Sequence, residues 1–337
     1  MKNRNLRVVV WICVMVLFSA ICLAACGNSN NSESAPSETA GATVNPSGQE
    51  ETPTPSEESA TRSYTDSKGH TVEIPTNPQR IVYTGSDLGD MLALGVKPVG
   101  AALGVIGDQI AYSDLIDGIE DVGDLLGDAE KVLSLNPDLI LLDGGGTYYE
   151  ESAYETLNKI APTVTYERLA TSERLLGLAD IIGKRQEAEQ WISDFEGEAA
   201  ETIEKMGLQG GDTATVFLQL GTDLYVMGNK GFGTLLYETL GYEPAPQVKK
   251  ELIDKGEAFI NVSKELLAEF AGDEVFVLTD QDEAGRAASD SIFSTGTWNA
   301  IPAVQAGHVH YVATMWNFDD PITKERLLDM LQTIFQK

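Results

Sequence analysis

Short apolar runs alternate with amphipathic stretches along the chain from about residue 63 onwards. Runs of strand length separated by helical stretches are typical of βαβ units, in which parallel strands are buried beneath crossover helices. The pattern therefore predicts an α/β fold. The predicted strands cover residues 81–83, 98–102, 138–142 and 163–166 in the first half, and residues 214–219, 224–226, 274–278 and 308–312 in the second half.

The longest amphipathic stretch covers residues 172–206 and contains no proline. Most of its apolar positions are three, four or seven residues apart, or sums of these, which is the period of one helix face. Ser172 is suited to begin a helix and Gly207 to end one. A single helix of this length would span about 50 Å. It either joins two lobes or lies along the side of one domain. The apolar residues are Leu175, Leu178, Ile182, Ile192, Phe195, Ala199, Ile203 and Met206.

Two short segments, one on each side of this stretch, resemble each other. Glu130 stands eight residues before Asp138, and Glu265 stands eight residues before Asp273. Each aspartate opens a predicted buried strand. This repeat, with the long helix between its copies, favours two lobes of similar construction.

The chain is strongly acidic, with a formal net charge of −29. The first 25 residues hold three of the 23 basic residues and no acidic one, so the remainder has 20 basic against 52 acidic residues and a net charge of −32. A chain of this charge repels nucleic acid and anionic lipid, and no basic stripe opposes that. Nucleic acid is therefore not an expected partner.

Residues 1–25 have the pattern of a targeting segment, with basic residues before an apolar run over residues 8–21. The sequence Leu23-Ala24-Ala25-Cys26 resembles a bacterial lipobox, which implies a lipoprotein signal peptide cut before Cys26 and a diacylglyceryl group on the Cys26 thiol. The alternative is an ordinary signal peptide cut nearby. Residues 26–62 are nearly empty of large apolar residues and predict a disordered tether. We expect a lipid-anchored protein on the extracellular face of the cell membrane, as in Gram-positive lipoproteins.

A series of short motifs runs in order from about Thr65 to the C terminus. The motifs are Ile74-Pro-x-x-Pro-x-Arg80-Ile-Val, Ala93-Leu-Gly-Val-Lys-Pro-Val-Gly100, Val122-Gly123, Glu130-x-Val-Leu-x-Leu-x-Pro-Asp-Leu-Ile140, Leu157-x-Lys-Ile-Ala-Pro-Thr163, Trp298-x-x-Ile-Pro-Ala-Val304 and Glu325-Arg-Leu-Leu328. Together they resemble the ferric-siderophore and vitamin B12 binding-protein family of bacterial ABC importers.

The resemblance implies two Rossmann-like α/β lobes joined by a single long α-helix, the helical-hinge form of the periplasmic binding protein fold. On this sequence the lobes would cover residues 63–170 and 208–337, with the linking helix over residues 171–207. The protein would be a monomer, and it would hold its ligand in the cleft between the lobes.

The resemblance also implies that an acid on each lobe docks onto arginines of a dimeric membrane permease. The matching positions here are Glu130 and Glu265. The alternative for each residue is that it only stabilises the N-terminus of its own helix.

The resemblance also suggests candidate cleft residues. In relatives that bind hydroxamate siderophores, aromatic rings surround the iron complex and an arginine bonds its oxygens. Trp316 and Tyr148 match such aromatic positions, and the alternative for both is packing at a lobe edge. Many relatives have an arginine after the Val-Gly motif, where this chain has Asp124, so Arg286 is the candidate replacement. A cleft poor in arginine favours a neutral or weakly charged ligand such as a ferric hydroxamate.

No metal site, resident cofactor or catalytic centre is expected. His308 and His310 point the same way along a predicted strand, but the sequence offers no third ligand beside them. The iron would arrive already wrapped in its siderophore. The remaining alternatives are a cobalamin or haem carrier of the same fold and a lipid-anchored α/β enzyme, against which the lack of a catalytic motif counts.

Overall fold

The structure is a computed structural model that describes residues 61–106, 110–145, 149–208, 210–280 and 282–335. Strands in these ranges form one hairpin and two separate sheets. The hairpin pairs β1 (Thr61–Thr65) with β2 (Thr71–Pro75) in antiparallel register.

The first sheet is built from five parallel strands. They are β3 (Ile81–Tyr83), β4 (Gly100–Ala101), β5 (Glu120–Asp121), β6 (Leu139–Asp143) and β7 (Thr163–Tyr166). Their order across the sheet is β5-β4-β3-β6-β7. Every residue of β3, β6 and β7 is buried. Burial on both faces explains why these strands are continuous apolar runs in the sequence.

The second sheet is mixed. Its strands are β8 (Thr213–Leu220), β9 (Asp223–Met227), β10 (Glu243–Pro244), β11 (Phe259–Asn261), β12 (Glu274–Thr279) and β13 (Val309–Ala313). The order is β11-β9-β8-β12-β13, with β10 beside β8. Strands β8, β12 and β13 are parallel, whereas β9 returns antiparallel to β8.

Helices connect the strands of both sheets. Around the first sheet they are α1 (Gly89–Ala93), α2 (Leu103–Ile106), α3 (Ala129–Ser134) and α4 (Glu151–Leu157). Between the sheets lie α5 (Thr171–Ile182) and α6 (Arg185–Met206). Around the second sheet they are α7 (Phe232–Thr234, continued by a π-helical turn over Leu235–Thr239), α8 (Pro246–Glu251), α9 (Leu267–Phe270), α10 (Glu283–Phe293), α11 (Gly296–Asn299), α12 (Pro302–Ala306) and α13 (Pro321–Phe335).

The predicted single helix over residues 172–206 is wrong in one respect, because the structure divides it into α5 and α6. Gly183 adopts a left-handed conformation with φ of 75°, and the Lys184 N–H bonds the Ala179 carbonyl at 2.8 Å. This arrangement ends α5 in the manner of a Schellman motif. Helix α6 alone has 22 residues, so it spans about 33 Å. It ends at Gly207 as predicted, whereas Ser172 lies inside α5 and does not begin it.

The repeat in the sequence corresponds to equivalent contacts in the two sheets. The Asp138 carboxylate accepts hydrogen bonds from the Gln79 and Arg80 N–H groups, at 2.7 and 2.9 Å, where the chain enters β3. The Asp273 carboxylate accepts bonds from the Thr213 N–H and hydroxyl, at 3.0 and 2.7 Å, where the chain enters β8. Each repeated aspartate thus fixes the start of the neighbouring central strand.

One hydrophobic cluster runs from the first sheet through α5 and α6 to the second sheet. It contains Tyr83 and Leu139 from the first sheet, Leu178 from α5, Phe195 from α6 and Phe276 from the second sheet. Two further clusters cover the outer face of each sheet. Both sheets are therefore covered on two faces. The predicted lobe boundaries at residues 170 and 208 stay a prediction.

Candidate ligand cleft and docking acids

In open α/β sheets, ligands bind beyond the carboxyl ends of parallel strands. At this edge of the first sheet, β6 ends in Asp143 and is followed by Gly144 and Gly145, while β7 is followed by Arg168. Tyr148, the predicted cleft tyrosine, lies outside the described residues. It therefore stays a prediction.

Arg168 is a cation at this edge that the sequence analysis missed. Its Nε donates to Asp143 Oδ2 at 2.6 Å, and its side chain is 25% exposed. Burial alone would lower the pKa of Arg168, but the hydrogen bond and charge of Asp143 raise it, with Asp87 adding to the effect. The sequence signal that could have identified Arg168 was its position two residues after the end of a predicted buried strand. Because Asp143 balances its charge, the Arg168–Asp143 pair adds no net charge to this edge.

The turn after Val122-Gly123 holds no cation. Asp124 is exposed, and its carboxylate accepts the Leu126 N–H at 2.9 Å within the turn. The carboxylate is thus used to shape the turn itself. The expected arginine of the family pattern is replaced there by an acid.

The second sheet places Trp316 and Arg286 after neighbouring strands. Trp316 is half-buried in a short 3₁₀ turn, Thr314–Trp316, directly after β13, and packs against the shared core. The Thr314 hydroxyl donates to Asp280 Oδ1 at 2.8 Å, which ties the ends of β13 and β12 together. Ligand contact and edge packing are both compatible with this position of Trp316.

Arg286 is exposed on the first turns of α10 and forms no ion pair with any residue in the described ranges. It lines a groove of about 450 Å³ between α10 and the edge strand β13. Tyr311, which is 49% exposed, and Phe293 line the same groove. The structure thus brings Arg286 beside an aromatic ring that the sequence analysis did not select.

A buried polar network joins α1, α5 and the start of α13. Arg174 donates through Nε and Nη2 to Asp90 at 2.6 and 3.0 Å, and through Nη2 to the Asp319 carbonyl at 2.8 Å. Lys324 bonds Asp319 Oδ1 at 2.8 Å and the Thr171 hydroxyl at 2.7 Å. The network therefore links α1, which lies among the strands of the first sheet, and α5, which directly follows that sheet in the chain, to the C-terminal helix α13.

Asp320 is fully buried beside this network and accepts the Thr323 N–H and hydroxyl at 2.9 and 2.7 Å. Burial, which these bonds only partly offset, raises the pKa of Asp320 to about 7. Burial likewise raises the pKa of Asp90 to about 6 despite the Arg174 charge.

The protein should therefore become less stable as pH rises through the range in which Asp320 is protonated in the native state but ionised in the unfolded state. The unfolded chain loses this proton near pH 3.8 and the native protein near pH 7, so unfolding releases a proton between those values. We expect Asp320→Asn to remove this negative contribution, so that the slope of unfolding free energy against pH becomes less negative by up to about 1.4 kcal/mol per pH unit. Urea unfolding between about pH 4 and 7 measures this, and an unchanged slope would contradict it.

Glu130 and Glu265, the predicted docking acids, are both exposed and form no ion pair within the described ranges. Asp128 caps α3 by accepting the Glu130 and Lys131 N–H groups at 2.9 and 3.2 Å, so Glu130 is not needed as the cap. Glu265 lies in the turn before α9, where a hydrogen bond from the Ser263 side chain lowers its pKa. Docking itself stays a prediction.

Other residues singled out in the sequence have structural roles. Trp298 is 2% exposed and belongs to the core of the second sheet. His308 and His310 both face Glu274, with His310 Nε2 at 2.7 Å from its carboxylate. Within the described ranges, no group of three or more His, Cys, Asp or Glu residues is arranged to hold a metal ion. No helix in these ranges is both long and apolar enough to cross a membrane.

Comparison with known proteins agrees with this architecture. The family described as periplasmic binding protein matches residues 81–313, more than half of the chain. The iron(3+)-hydroxamate-binding protein FhuD of Bacillus subtilis is 31% identical over 320 residues, covering 92% of this chain and 92% of that protein. The probable siderophore-binding lipoprotein YfiY of the same organism is 30% identical over 293 residues, covering 83% of this chain and 89% of that protein.

Among solved structures, an FhuD fold-family component of a Fep/Fec-like ferrichrome ABC transporter from Bacillus subtilis superposes with a TM-score of 0.68. It is 29% identical in sequence, and the match covers 81% of this chain and 100% of that one. These relatives are solute-binding proteins and not enzymes, as the sequence predicts. From the family match, the shared fold and the extent of the identity, the chain belongs to the periplasmic binding protein family.

Proposed function

We propose that this protein is the siderophore-binding component of an ABC importer and that it captures a ferric hydroxamate between its two sheets. This proposal rests mainly on the 31% identity to an iron(3+)-hydroxamate-binding protein over 92% of both chains. The ligand is a pre-formed ferric complex, so the protein supplies no metal ligand and needs no cofactor of its own.

The distribution of charge at the strand ends supports the hydroxamate class. Arg168 is paired with Asp143, and Asp124 stands where a cation would serve an anionic ligand. A ferric triscatecholate carries about three negative charges, which would need several available cations once desolvated. Aromatic side chains such as Trp316 and Tyr148 are suited to a neutral or weakly charged complex instead. Arg286 is the candidate cation, although the groove that it lines with Tyr311 does not include Trp316.

Delivery to the permease is the second part of the proposal. Glu130 and Glu265 occupy equivalent positions of the repeat, since each precedes by eight residues an aspartate that fixes a central strand. A partner with two-fold symmetry presents the same surface twice. The repeated acids are therefore suited to a permease dimer that offers one cationic site from each subunit, and such pairs would set orientation.

The N-terminal segment completes the proposed arrangement. A diacylglyceryl group on Cys26 would hold the protein, as a monomer, at the extracellular face of the cell membrane. The predicted tether over residues 26–62 is too long by two residues, because Thr61 and Arg62 belong to β1. The part before β1, which lies outside the described residues, would let the folded part reach the permease. A cobalamin or haem carrier of the same fold remains the second candidate.

Ligand titration of the purified folded part tests the proposed ligand class. We expect ferrioxamine B and ferrichrome to quench tryptophan fluorescence with saturation, whereas ferric enterobactin, haem and cobalamin do not. Because Trp316 lies at the strand end and Trp298 is buried in the core, most of the quenching should come from Trp316.

The matched control is Trp316→Phe, which keeps an aromatic ring and retains Trp191 and Trp298 as emitters. Quenching that persists in this variant would remove Trp316 from the site. A response to haem or cobalamin alone would favour the second candidate, and no response to any iron complex would overturn the proposal.

A further inference from the structure

Two of the six exposed large hydrophobic side chains in the described ranges lie beside the two docking acids. Leu133 is 59% exposed and Leu266 is 39% exposed. Single exposed leucines are common on protein surfaces and need no explanation. Their position next to both acids of the repeat is the informative observation.

On the first lobe, helix geometry places the leucine and the acid together. Glu130 and Leu133 are three residues apart in α3, so they share one face of the helix. Val132, which is fully buried, directs the opposite face of α3 into the protein. Lys131 is paired with Asp121 at 3.0 Å, which leaves Glu130 and Leu133 facing solvent.

On the second lobe, a turn produces a comparable surface. The Leu266 N–H bonds the Ser263 carbonyl at 3.0 Å, and this turn presents Glu265 and Leu266 side by side. Leu267, fully buried, follows at once and anchors α9 in the core. Each lobe therefore carries an exposed acid that forms no ion pair with any described residue, and an exposed leucine adjacent to it.

We propose that Leu133 and Leu266 are apolar anchors of the permease interface, each entering a nonpolar depression beside the cation that receives the neighbouring glutamate. This inference rests on the proposed docking at Glu130 and Glu265. The acids indicate the kind of partner, since a carboxylate that enters an interface is best matched by a cationic surface. A leucine buried beside an ion pair excludes water from it, and so strengthens it while adding an attraction that salt does not screen.

Binding of the full-length protein to a siderophore permease complex in lipid nanodiscs tests the anchors. It is measured without siderophore, so that the result does not depend on the ligand, at about 0.05 and about 0.5 M NaCl. We expect Leu133→Ser and Leu266→Ser each to weaken binding about tenfold at both salt concentrations. We expect Leu133→Met and Leu266→Met to restore affinity, because they keep an apolar side chain.

Leu169→Ser is the matched control, because Leu169 is 44% exposed but adjacent to neither acid, and it should bind as the wild type does. The Glu130→Arg/Glu265→Arg variant distinguishes failure of the docking at the two glutamates from failure of the apolar anchors alone. If that variant binds normally, the docking assignment itself fails. If it loses binding while both Leu→Ser variants bind as the wild type at either salt concentration, only the apolar anchors are overturned.

Discussion

Reversing both docking charges, in the variant Glu130→Arg/Glu265→Arg, should abolish siderophore uptake by cells while the purified protein keeps its affinity for the ligand. Both side chains are exposed, and neither forms an ion pair with a residue in the described ranges. If the proposed docking holds, like charges placed against cationic sites of the permease would repel at both ends of the interface, and such repulsion costs several kcal/mol. Each single reversal should reduce uptake less.

The matched control changes the net charge equally at other exposed glutamates. Glu155 on α4 and Glu204 on α6 are exposed and lie outside the repeat, so Glu155→Arg/Glu204→Arg should transport normally. Uptake of labelled ferric hydroxamate and fluorescence titration of each purified variant are the two measurements. Equal loss of uptake and ligand affinity in the docking variant would contradict the assignment, because it would indicate damage to the fold or the cleft.

The largest expected effect on stability comes from Arg174→Met. Arg174 is 3% exposed and donates to Asp90, to the Leu169 carbonyl at 3.1 Å and to the Asp319 carbonyl. Its removal leaves the Asp90 carboxylate buried without its cation, which costs about 3–5 kcal/mol when one partner of a buried pair is lost. Since native domains are stable by about 5–15 kcal/mol, this loss should be evident in denaturant unfolding.

An exposed ion pair in the same region serves as the control. Arg185 bonds Asp180 at 2.8 Å and Glu189 at 2.9 Å, but its side chain is 56% exposed. Solvent screening limits such pairs, so Arg185→Met should cost at most about 1 kcal/mol. If Arg174→Met were no more destabilising than Arg185→Met, the buried network would not hold the elements together as described.

Elements whose signal is local could be predicted from the sequence alone. The central strands β3, β6, β8 and β12 were predicted within about two residues, because strands buried on both faces are continuous apolar runs. The repeat of Glu130 and Asp138 with Glu265 and Asp273 was also readable, since it is a matter of spacing. The family motifs add the expected docking acids, and the structure finds both exposed.

Features that depend on contacts between distant residues are visible only in the folded structure. The long amphipathic stretch was divided at Gly183, where a local helix-ending motif overrode a permissive hydrophobic pattern. Arg168 was placed against Asp143, 25 residues away, and Arg174 against Asp90, 84 residues away. A charged residue in a sequence reads as solvent-facing unless its partner is known, because burying it is tolerated only when an opposite charge and hydrogen bonds accompany it. Those partners are brought together by the fold, so the buried network and the charge balance at the cleft could not be predicted from the chain.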